Sequence, residues 1–548
     1  MKTMSNKTFK HLLTVASLVA LASAHAADTP KLIERDGRHA LIVDGAPYLM
    51  LGAQVHNSSN YAGALKQVWP AIHDMHANTV EVPVAWEQVE PTEGHFDFSF
   101  VDTLVKEARE HQVHLVLLWF GSWKNTSPQY APEWVKFNNA RFPRMIDKAG
   151  KPSYCLSPNG EETMQADKRA FVALMAHLKQ VDEKEHTVLM MQVENETGTY
   201  GLVRDFSPKA QAAFEQAVPA AVLKHKKPVN AATGTWSQVY GDYADQYFHA
   251  YSFARYIEEI AKAGRTVYDL PMYVNNALRD SIPPAKPWNN DFASGGPSYD
   301  VIDIYKAVAP YIDIVSPDIY NPDSKQFAAT IADHLRPDNA LFVPEMSNAP
   351  NYARYFYGIL GAGAIGISPF GIDYANYSNY PLGTALTDGR MTAPLAPIYA
   401  AFAPVQRHWA RWAFEGKTQG VAEGDDHADQ MLTFKNGWKA KVSFGQWQFG
   451  EKDWPQNAKN PPPHASQTLG GVAVAQVGEN EFVLIGQYAR VRIESSTPQG
   501  SMIASAEEGQ FDAKGNWVME RRWNGDQVDW GLNFTAKPLV LKVRMGRY

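Results

Sequence analysis

Two short segments of the chain end apolar runs in carboxylates: Met191-Gln192-Val193-Glu194-Asn195-Glu196 and Phe342-Val343-Pro344-Glu345. Each run has the composition of a buried strand. An acidic side chain at the end of such a strand is costly unless something uses or neutralises it. Two carboxylates that face each other across a gap can divide one reaction between them. One donates a proton to a departing oxygen, and the other meets the positive anomeric carbon left behind. That division of labour is what glycoside hydrolysis requires.

The elements around these segments must bring them together. Short apolar runs recur along the chain at Leu49–Gln54, Thr79–Ala85, His114–Phe120, Thr187–Val193, Met272–Asn276, Ile312–Ile319, Leu341–Glu345 and Ala364–Pro369. They are rich in Val, Ile, Leu and Met without polar alternation, as expected of parallel strands covered on both faces. Helical patterns separate most of them, among them Phe100–Glu110, Lys168–Leu178, Ala210–Lys224 and Tyr247–Lys262. Eight such units predict an α/β fold, a (β/α)8 TIM barrel over residues 27–412. In a closed barrel, strands four and seven stand on opposite sides of the mouth, so Glu196 and Glu345 converge there. Long connections after strands three, four and five predict a shaped, occluded pocket. Before the first barrel strand, His39–Val43, Asp44-Gly45 and Tyr48–Met50 read as strand, turn and strand.

From about Gly416 the pattern changes to short runs punctuated by Gly, Pro and Asn: Ala440–Phe444, Gly471–Val477, Glu481–Gln487, Val491–Glu494 and Leu539–Met545. These predict a C-terminal antiparallel β-sandwich domain over residues 413–548. The run Asn460-Pro461-Pro462-Pro463 is expected to be a surface loop. At the other end, Lys2, Lys7 and Lys10 precede an apolar run from Leu12 to Leu21 and then Ala24-His25-Ala26, the layout of a secretory signal over residues 1–26. This predicts a periplasmic or secreted protein, and no later run is long and apolar enough to span a bilayer.

The chain of 548 residues has a formal charge of −7, near −10 once the signal leaves, an acidic balance that argues against a nucleic-acid or anionic-membrane partner. One cysteine, Cys155, cannot form an internal disulfide or a thiol-rich metal site. His73 and His76 share a helix face but lack an acidic or thiol partner at ligand spacing. Gly361-Ala362-Gly363 precedes a strand, the wrong side for phosphate binding. No metal or cofactor is expected. Fifteen Trp, 25 Tyr and 25 Phe offer flat faces for sugar rings as well as core packing.

Glu194 and Glu196 point the same way if strand four stays regular. The run Gln192-Val193-Glu194-Asn195-Glu196-Thr197-Gly198-Thr199-Tyr200-Gly201 resembles the acid/base motif of glycoside hydrolase family 35, β-galactosidases with catalytic carboxylates on strands four and seven of a (β/α)8 barrel. Trp86-Glu87-Gln88-Val89-Glu90-Pro91-Thr92-Glu93-Gly94-His95-Phe96-Asp97-Phe98 resembles the segment after strand two of that family. The resemblance runs from about Leu49 to Asp373. It implies Glu196 as acid/base, Glu345 as nucleophile, Glu194 one layer deeper on the backbone or an arginine, and a retaining double displacement. Glu87 and Val89 replace the family's usual asparagine and histidine. The strand-three loop reads Trp119-Phe120-Gly121-Ser122-Trp123-Lys124-Asn125 where the family carries Cys-Ala-Glu-Trp. These departures resemble a bacterial branch that trims galactose from xyloglucan fragments.

Around this pair, Asn195 is expected to read a sugar hydroxyl, and Tyr320, at the end of strand six, serves equally to hold Glu345 or to pack as a core tyrosine. Trp119, Trp123 and Trp236 serve equally as stacking walls or as core. Lys124 and Asn125 read hydroxyls or face solvent, Gln54 and Asn57 follow strand one toward the cavity, and Glu87 binds hydroxyls or is neutralised by an arginine. The expected ligand is a small oligosaccharide, and the oligomeric state is open. The competing functions are a related glycosidase for another sugar, such as a β-glucosidase or arabinofuranosidase, and a non-catalytic sugar-binding protein. Aryl glycosides of several sugars separate the first, and the presence of both carboxylates at strand ends weighs against the second.

Overall fold

Eight apolar runs pair side by side in parallel and close on themselves. In the computed structural model, which describes residues 29–277, 279–444, 459, 467–512 and 514–548, they are β1 Met50–Gln54, β2 Thr79–Ala85, β3 His114–Lys124, β4 Val188–Asn195, β5 Met272–Asn276, β6 Ile314–Ile319, β7 Phe342–Met346 and β8 Gly366–Pro369. Each pairs with the next, and β8 returns to β1 through Gly366↔Met50 and Ile367↔Leu51, closing the barrel. The (β/α)8 barrel with an antiparallel C-terminal domain is therefore the fold. The expected signal segment and the Pro-rich run at 460–463 lie outside the described residues. No helix among the described residues is long and apolar enough to cross a membrane.

Period-two alternation assigns the strand faces. Along β3, Val116, Leu118 and Phe120 fill the lumen with Met50, Met190, Tyr273, Ile314 and Phe342. Leu115, Leu117 and Trp119 face the opposite way, into the layer packed against the helices. The floor of the lumen is closed by the hairpin Arg38–Val43 and Ala46–Tyr48, whose Leu41, Val43 and Tyr48 join the same apolar cluster. Its turn residues Asp44 and Gly45 take φ of 53° and 75°, the left-handed pair that a two-residue hairpin turn of Asp-Gly type needs.

Helices Leu65–Met75, Ser99–Glu110, Glu161–Asp182, Ala244–Val267, Ile302–Val308, Ser324–His334, Tyr355–Gly361 and Ala396–Phe402 form the outer layer. The single helix expected over Ala210–Lys224 is two short ones, Pro208–Phe214 and Ala220–His225. Pro219 stands between them at ψ 140° as the second helix's N-cap, an extended conformation that ends one helix and starts another. Long connections follow β3, β4 and β5 as expected, and another follows β8.

Beyond Phe414 the chain forms two antiparallel sheets. One has six strands in the order Thr418–Ala422, Gly471–Gln476, Glu481–Gln487, Leu539–Arg547, Ser501–Phe511 and Trp517–Trp523. The other has four, Gln430–Phe434, Trp438–Phe444, Ala489–Ser495 and Leu532–Phe534. Trp438, Val442, Val474, Phe482, Leu484, Val491, Phe534 and Leu541 make the core between them. This domain rests on the barrel through strand Thr418–Ala422 and helix Tyr355–Gly361, where Gly420 packs backbone-close against Gly361.

Candidate active site

Glu196 and Glu345 meet across the C-terminal mouth of the barrel. A carboxylate oxygen from each, with one from Asp318 on β6, lies within 4.8 Å of the others. The sequence pattern did not single out Asp318. It stands two residues before Tyr320 at the end of β6, so the alternation that aims Tyr320 into the mouth also aims Asp318 there.

Strand irregularity sets both glutamates. On β7, Phe342 faces the lumen and Val343 faces outward, so strict alternation would turn Glu345 outward. A register shift between Val343 and Met346 against β8 brings it in. At the end of β4, Glu194 and Glu196 take φ of 63° and 43°, a left-handed backbone that non-glycine residues rarely adopt and that collects at functional sites. The strand is therefore not regular there, and the two glutamates part. Glu194 turns into the protein and accepts the backbone N–H groups of Ser122 at 3.2 Å and Trp123 at 2.8 Å. Its partners are backbone N–H groups, one of the two expected alternatives, but it turns toward Asp167 and the helix layer and does not lie one layer deeper in the mouth. Burial, then the neighbouring Asp167, hold its carboxyl well above the ordinary range.

Glu196 keeps a side chain 14% exposed in the mouth. Its backbone N–H donates to Asn275 Oδ1 at 3.0 Å, and Asn275 Nδ2 donates to Asp318 Oδ2 at 2.7 Å. The ammonium of Lys124, itself buried, lies 3.9 Å from Glu196 Oε2. Burial pushes the Glu196 carboxyl up to about 7, against the pull of Lys124 and with further help from the negative charge of Glu345. Glu345 accepts from Gln54 Nε2 at 3.0 Å and from the Tyr320 hydroxyl at 2.5 Å. Burial and then Glu345 hold the Tyr320 phenol well above its ordinary range, so it remains a donor. The positive charge among the carboxyl groups is that of Lys124, so the cluster reads as an acid–base centre rather than as a ligand set.

The remaining expected residues divide. Gln54 and Tyr320 converge on Glu345, and Asn195 stands between Glu194 and Glu196 at the end of β4. Asn195 is fully buried and neither atom of its side-chain amide has a hydrogen-bond partner within the protein. Such an amide suits a hydroxyl that only a substrate brings. Lys124 is not a solvated loop residue but a buried neighbour of Glu196, and its ammonium also donates to Asn125 Oδ1. Glu87 does not join them. It pairs with Lys136 at 2.7 Å and borders a separate depression with Tyr61, Phe100 and Pro132, so a lysine neutralises it, not an arginine.

The three tryptophans are core, not walls. Trp119 faces the helix layer and donates to Asp167 Oδ1 at 2.8 Å. Trp123 packs edge-on against Phe253 and Tyr256 and donates to Leu156 O. Trp236 packs among Tyr240, Phe248 and Tyr251. The exposed rings near the mouth are tyrosines. Tyr154 and Tyr200 are 44% and 48% exposed, joined by a Tyr200 N–H that donates to the Tyr154 hydroxyl, and Tyr200 is close enough to feel the charge of Glu196. Tyr377, 63% exposed, stands over His56. A cavity of about 700 Å³ opens beside the centre, lined by Arg279, Asp280, Phe292, Tyr320 and Asn321. Tyr320 thus borders both this cavity and Glu345.

With this geometry in place, comparison with known proteins gives two matched segments. A family described as β-galactosidase, glycoside hydrolase family 42, matches residues 63–247. That segment holds Glu196 and stops short of Glu345. A domain of unknown function (DUF5597) matches residues 395–535. The family model that matches this part of the barrel is thus family 42, while the motif resembles family 35. A β-galactosidase of Xanthomonas manihotis is 29% identical over 203 residues, 34% of this chain and 31% of that protein. The match therefore spans about a third of the length of that relative. Among solved structures, the β-galactosidase of Bacillus circulans sp. alkalophilus superposes with a TM-score of 0.50 at 10% identity, covering 90% of this chain and 99% of that one. The β-galactosidase of the psychrophilic Marinomonas ef1 gives 0.48 at 11% identity over 67% and 62%. The first of these likenesses bears out the fold.

Proposed function

We propose that this chain is a retaining exo-β-galactosidase that removes terminal, non-reducing β-D-galactose from plant oligosaccharides such as xyloglucan fragments. The finer placement in a bacterial branch of family 35, and action outside the cytoplasm, belong to the same proposal. One observation carries it: Glu196 and Glu345, from opposite sides of one barrel mouth, present oxygens within 4.8 Å of each other. So close an approach of one oxygen from each supports the roughly 5–5.5 Å spacing of retaining enzymes over the roughly 6.5–9.5 Å spacing of inverting ones.

In the first step Glu345 attacks the anomeric carbon while Glu196 gives its proton to the glycosidic oxygen. The carbon–oxygen bond to the leaving group breaks and an ester to Glu345 forms. Glu196, now a carboxylate, takes a proton from water, the hydroxide attacks the same carbon, and galactose leaves with Glu345 restored. A carboxyl that titrates near 7 is protonated for the first step and ready to ionise for the second. In this reading the unpartnered amide of Asn195 takes a hydroxyl beside the reacting bond, and the exposed Tyr154, Tyr200 and Tyr377 offer faces to the sugars.

The test is hydrolysis of a panel of aryl glycosides. Release from the β-galactoside above the β-glucoside and the arabinofuranoside is expected, with kcat/KM falling as pH rises through about 7, where Glu196 loses its proton. Glu345→Gln should lose about 10³-fold or more in kcat. Azide added to Glu196→Ala should yield the β-galactosyl azide, and an α-azide or no rescue would remove Glu196 from this role.

A further inference from the structure

We propose that Asp318 is a positioning residue that holds a proton throughout catalysis and gives its hydrogen bond to Glu196, so that the three-carboxyl cluster carries one negative charge at every stage. This rests on the roles of Glu196 and Glu345 proposed above.

The donors around each carboxyl group differ. Glu345 receives two, from Gln54 and Tyr320. Glu196 has the ammonium of Lys124 beside it. Asp318 is fully buried and receives one, from Asn275 Nδ2 onto Oδ2. Its other oxygen, Oδ1, is buried with no donor in reach, yet carboxylate oxygens of Glu196 and Glu345 lie within 4.8 Å of the group. A buried acceptor facing further acceptors lacks one thing, a hydrogen. A proton on Asp318 supplies it, and Glu196 accepts.

Every strand packed around Asp318 adds to this balance. Glu81 comes from β2, Lys124 from β3, Glu196 from β4, Tyr273 from β5, Tyr320 from its own strand and Glu345 from β7, and Lys124 is the one cation among them. Burial, then the charges of Glu345 and Glu196, hold the Asp318 carboxyl well above its ordinary range. The Asp318 hydrogen bond in turn draws Glu196 down.

The proton count through the cycle then closes. In the free enzyme Glu345 carries the charge, and Glu196 and Asp318 are neutral. In the glycosyl-enzyme Glu345 is an ester, Glu196 carries the charge, and Asp318 is still neutral. The proton that moves is that of Glu196, first to the leaving oxygen and then back from water. The Asp318 proton stays, makes Glu196 the stronger acid in the first step and stabilises its carboxylate in the glycosyl-enzyme. Through Asn275, which also receives the Glu196 backbone N–H, Asp318 fixes where that side chain stands.

Asp318→Asn tests this, because the amide is a neutral donor of the same shape. It should lose no more than about tenfold in kcat and keep the basic limb of kcat/KM within about half a pH unit of the parent. It should also lack one protonated-carboxyl infrared band that the parent shows at pH 7. Asp318→Leu, with no donor, should lose about 100-fold in kcat with KM little changed. A basic limb displaced to lower pH by about one unit or more in Asp318→Asn would mean that a negative charge had been removed, and it would overturn the proposal. So would an unchanged infrared band, or equal losses in the two variants. If Asp318→Asn does not fold, carbon-13 labelling of aspartate carboxyls in the parent decides. One that remains protonated above pH 7 is expected, and none doing so overturns the proposal. The spectroscopic readouts need no substrate. An enzyme inert toward every aryl glycoside would sink the hydrolase reading while these measurements still decide the state of Asp318.

Discussion

Glu345 is held by two donors of different kinds, and the pair shows how a nucleophile is aimed. The Gln54 amide, fixed on β1, accepts no role in proton movement. The Tyr320 phenol is a stronger donor and borders the adjoining cavity, so it links the aim of Glu345 to whatever fills that space. Tyr320→Phe removes one donor and leaves the ring. The Glu345 carboxylate then keeps Gln54 alone and gains rotational freedom. A loss of about 10- to 100-fold in kcat is expected, the range for a single preorganised hydrogen bond at a reacting group. The circular dichroism spectrum and Tm should stay near those of the parent. A kcat within twofold of the parent would mean that Gln54 suffices and that the phenol belongs to the cavity wall instead.

Each strand delivers its polar group at a set depth, and β2 delivers one that the chemistry does not use. Glu81 is fully buried below the catalytic layer, accepts a hydrogen bond from the Tyr273 hydroxyl at 3.0 Å, and is pushed up to about 8, chiefly by burial. The folded state therefore holds this proton more tightly than the unfolded chain, whose carboxyl titrates near the ordinary 4.5. Between those two values the native protein binds more protons, so stability falls as pH rises. The stabilising share is complete below the unfolded value and lost as pH passes through about 8. Glu81→Gln removes the titration and keeps an acceptor for Tyr273. Its stability relative to the parent should grow between pH 5 and 8, by at most about 1.4 kcal/mol per unit. Denaturant melts at the two pH values read this directly, and a difference independent of pH would show that Glu81 ionises freely in the fold.

The same strands show what could be read from the chain beforehand. All eight were legible because a strand covered on both faces must be an apolar run. Glu345, Gln54 and Tyr320 were candidates from their places at strand ends, whereas the choice of Glu196 over Glu194 came from the resemblance of the motif. The outward position of Trp119 was legible too, since it shares parity with Leu115 and Leu117, but aromatic chemistry suggested a wall. The inward turn of Glu345 depends on a register shift, and the parting of Glu194 from Glu196 depends on two left-handed residues. Neither leaves a mark in residue types. Asp318 was inside the expected strand Ile312–Ile319 but was passed over, because the two carboxylates at the ends of strands four and seven already met the needs of the chemistry. In the second domain, half-exposed strands such as Ser501–Phe511 carry too many polar residues to stand out as apolar runs.

At the scale of the whole molecule, the C-terminal domain packs on the part of the barrel that carries Glu345. Helix Tyr355–Gly361 follows β7 and leads to β8, and strand Thr418–Ala422 lies directly on it. A Cβ on Gly361 would collide with the Gly420 backbone, and one on Gly420 with the carbonyl of Tyr357. At the mouth-side end of this contact the buried Arg354 reaches Asp425 at 2.8 Å and also donates to Pro322 O, two residues beyond Tyr320. Asp425 also accepts the backbone N–H of Ser324 at 2.8 Å, so the second domain touches the segments after both β6 and β7. Gly361→Ala forces the helix and strand apart, because the neighbour is backbone and cannot swing aside. Overpacking of this kind costs about 1–3 kcal/mol, so Tm should fall. Because the strain enters on the far side of the helix from the carboxyl cluster, kcat measured well below Tm should stay within about twofold of the parent, whereas inactivation on heating should come sooner. A fall in kcat at low temperature that matches Tyr320→Phe would show instead that the second domain sets the geometry of the site and does more than hold the barrel closed.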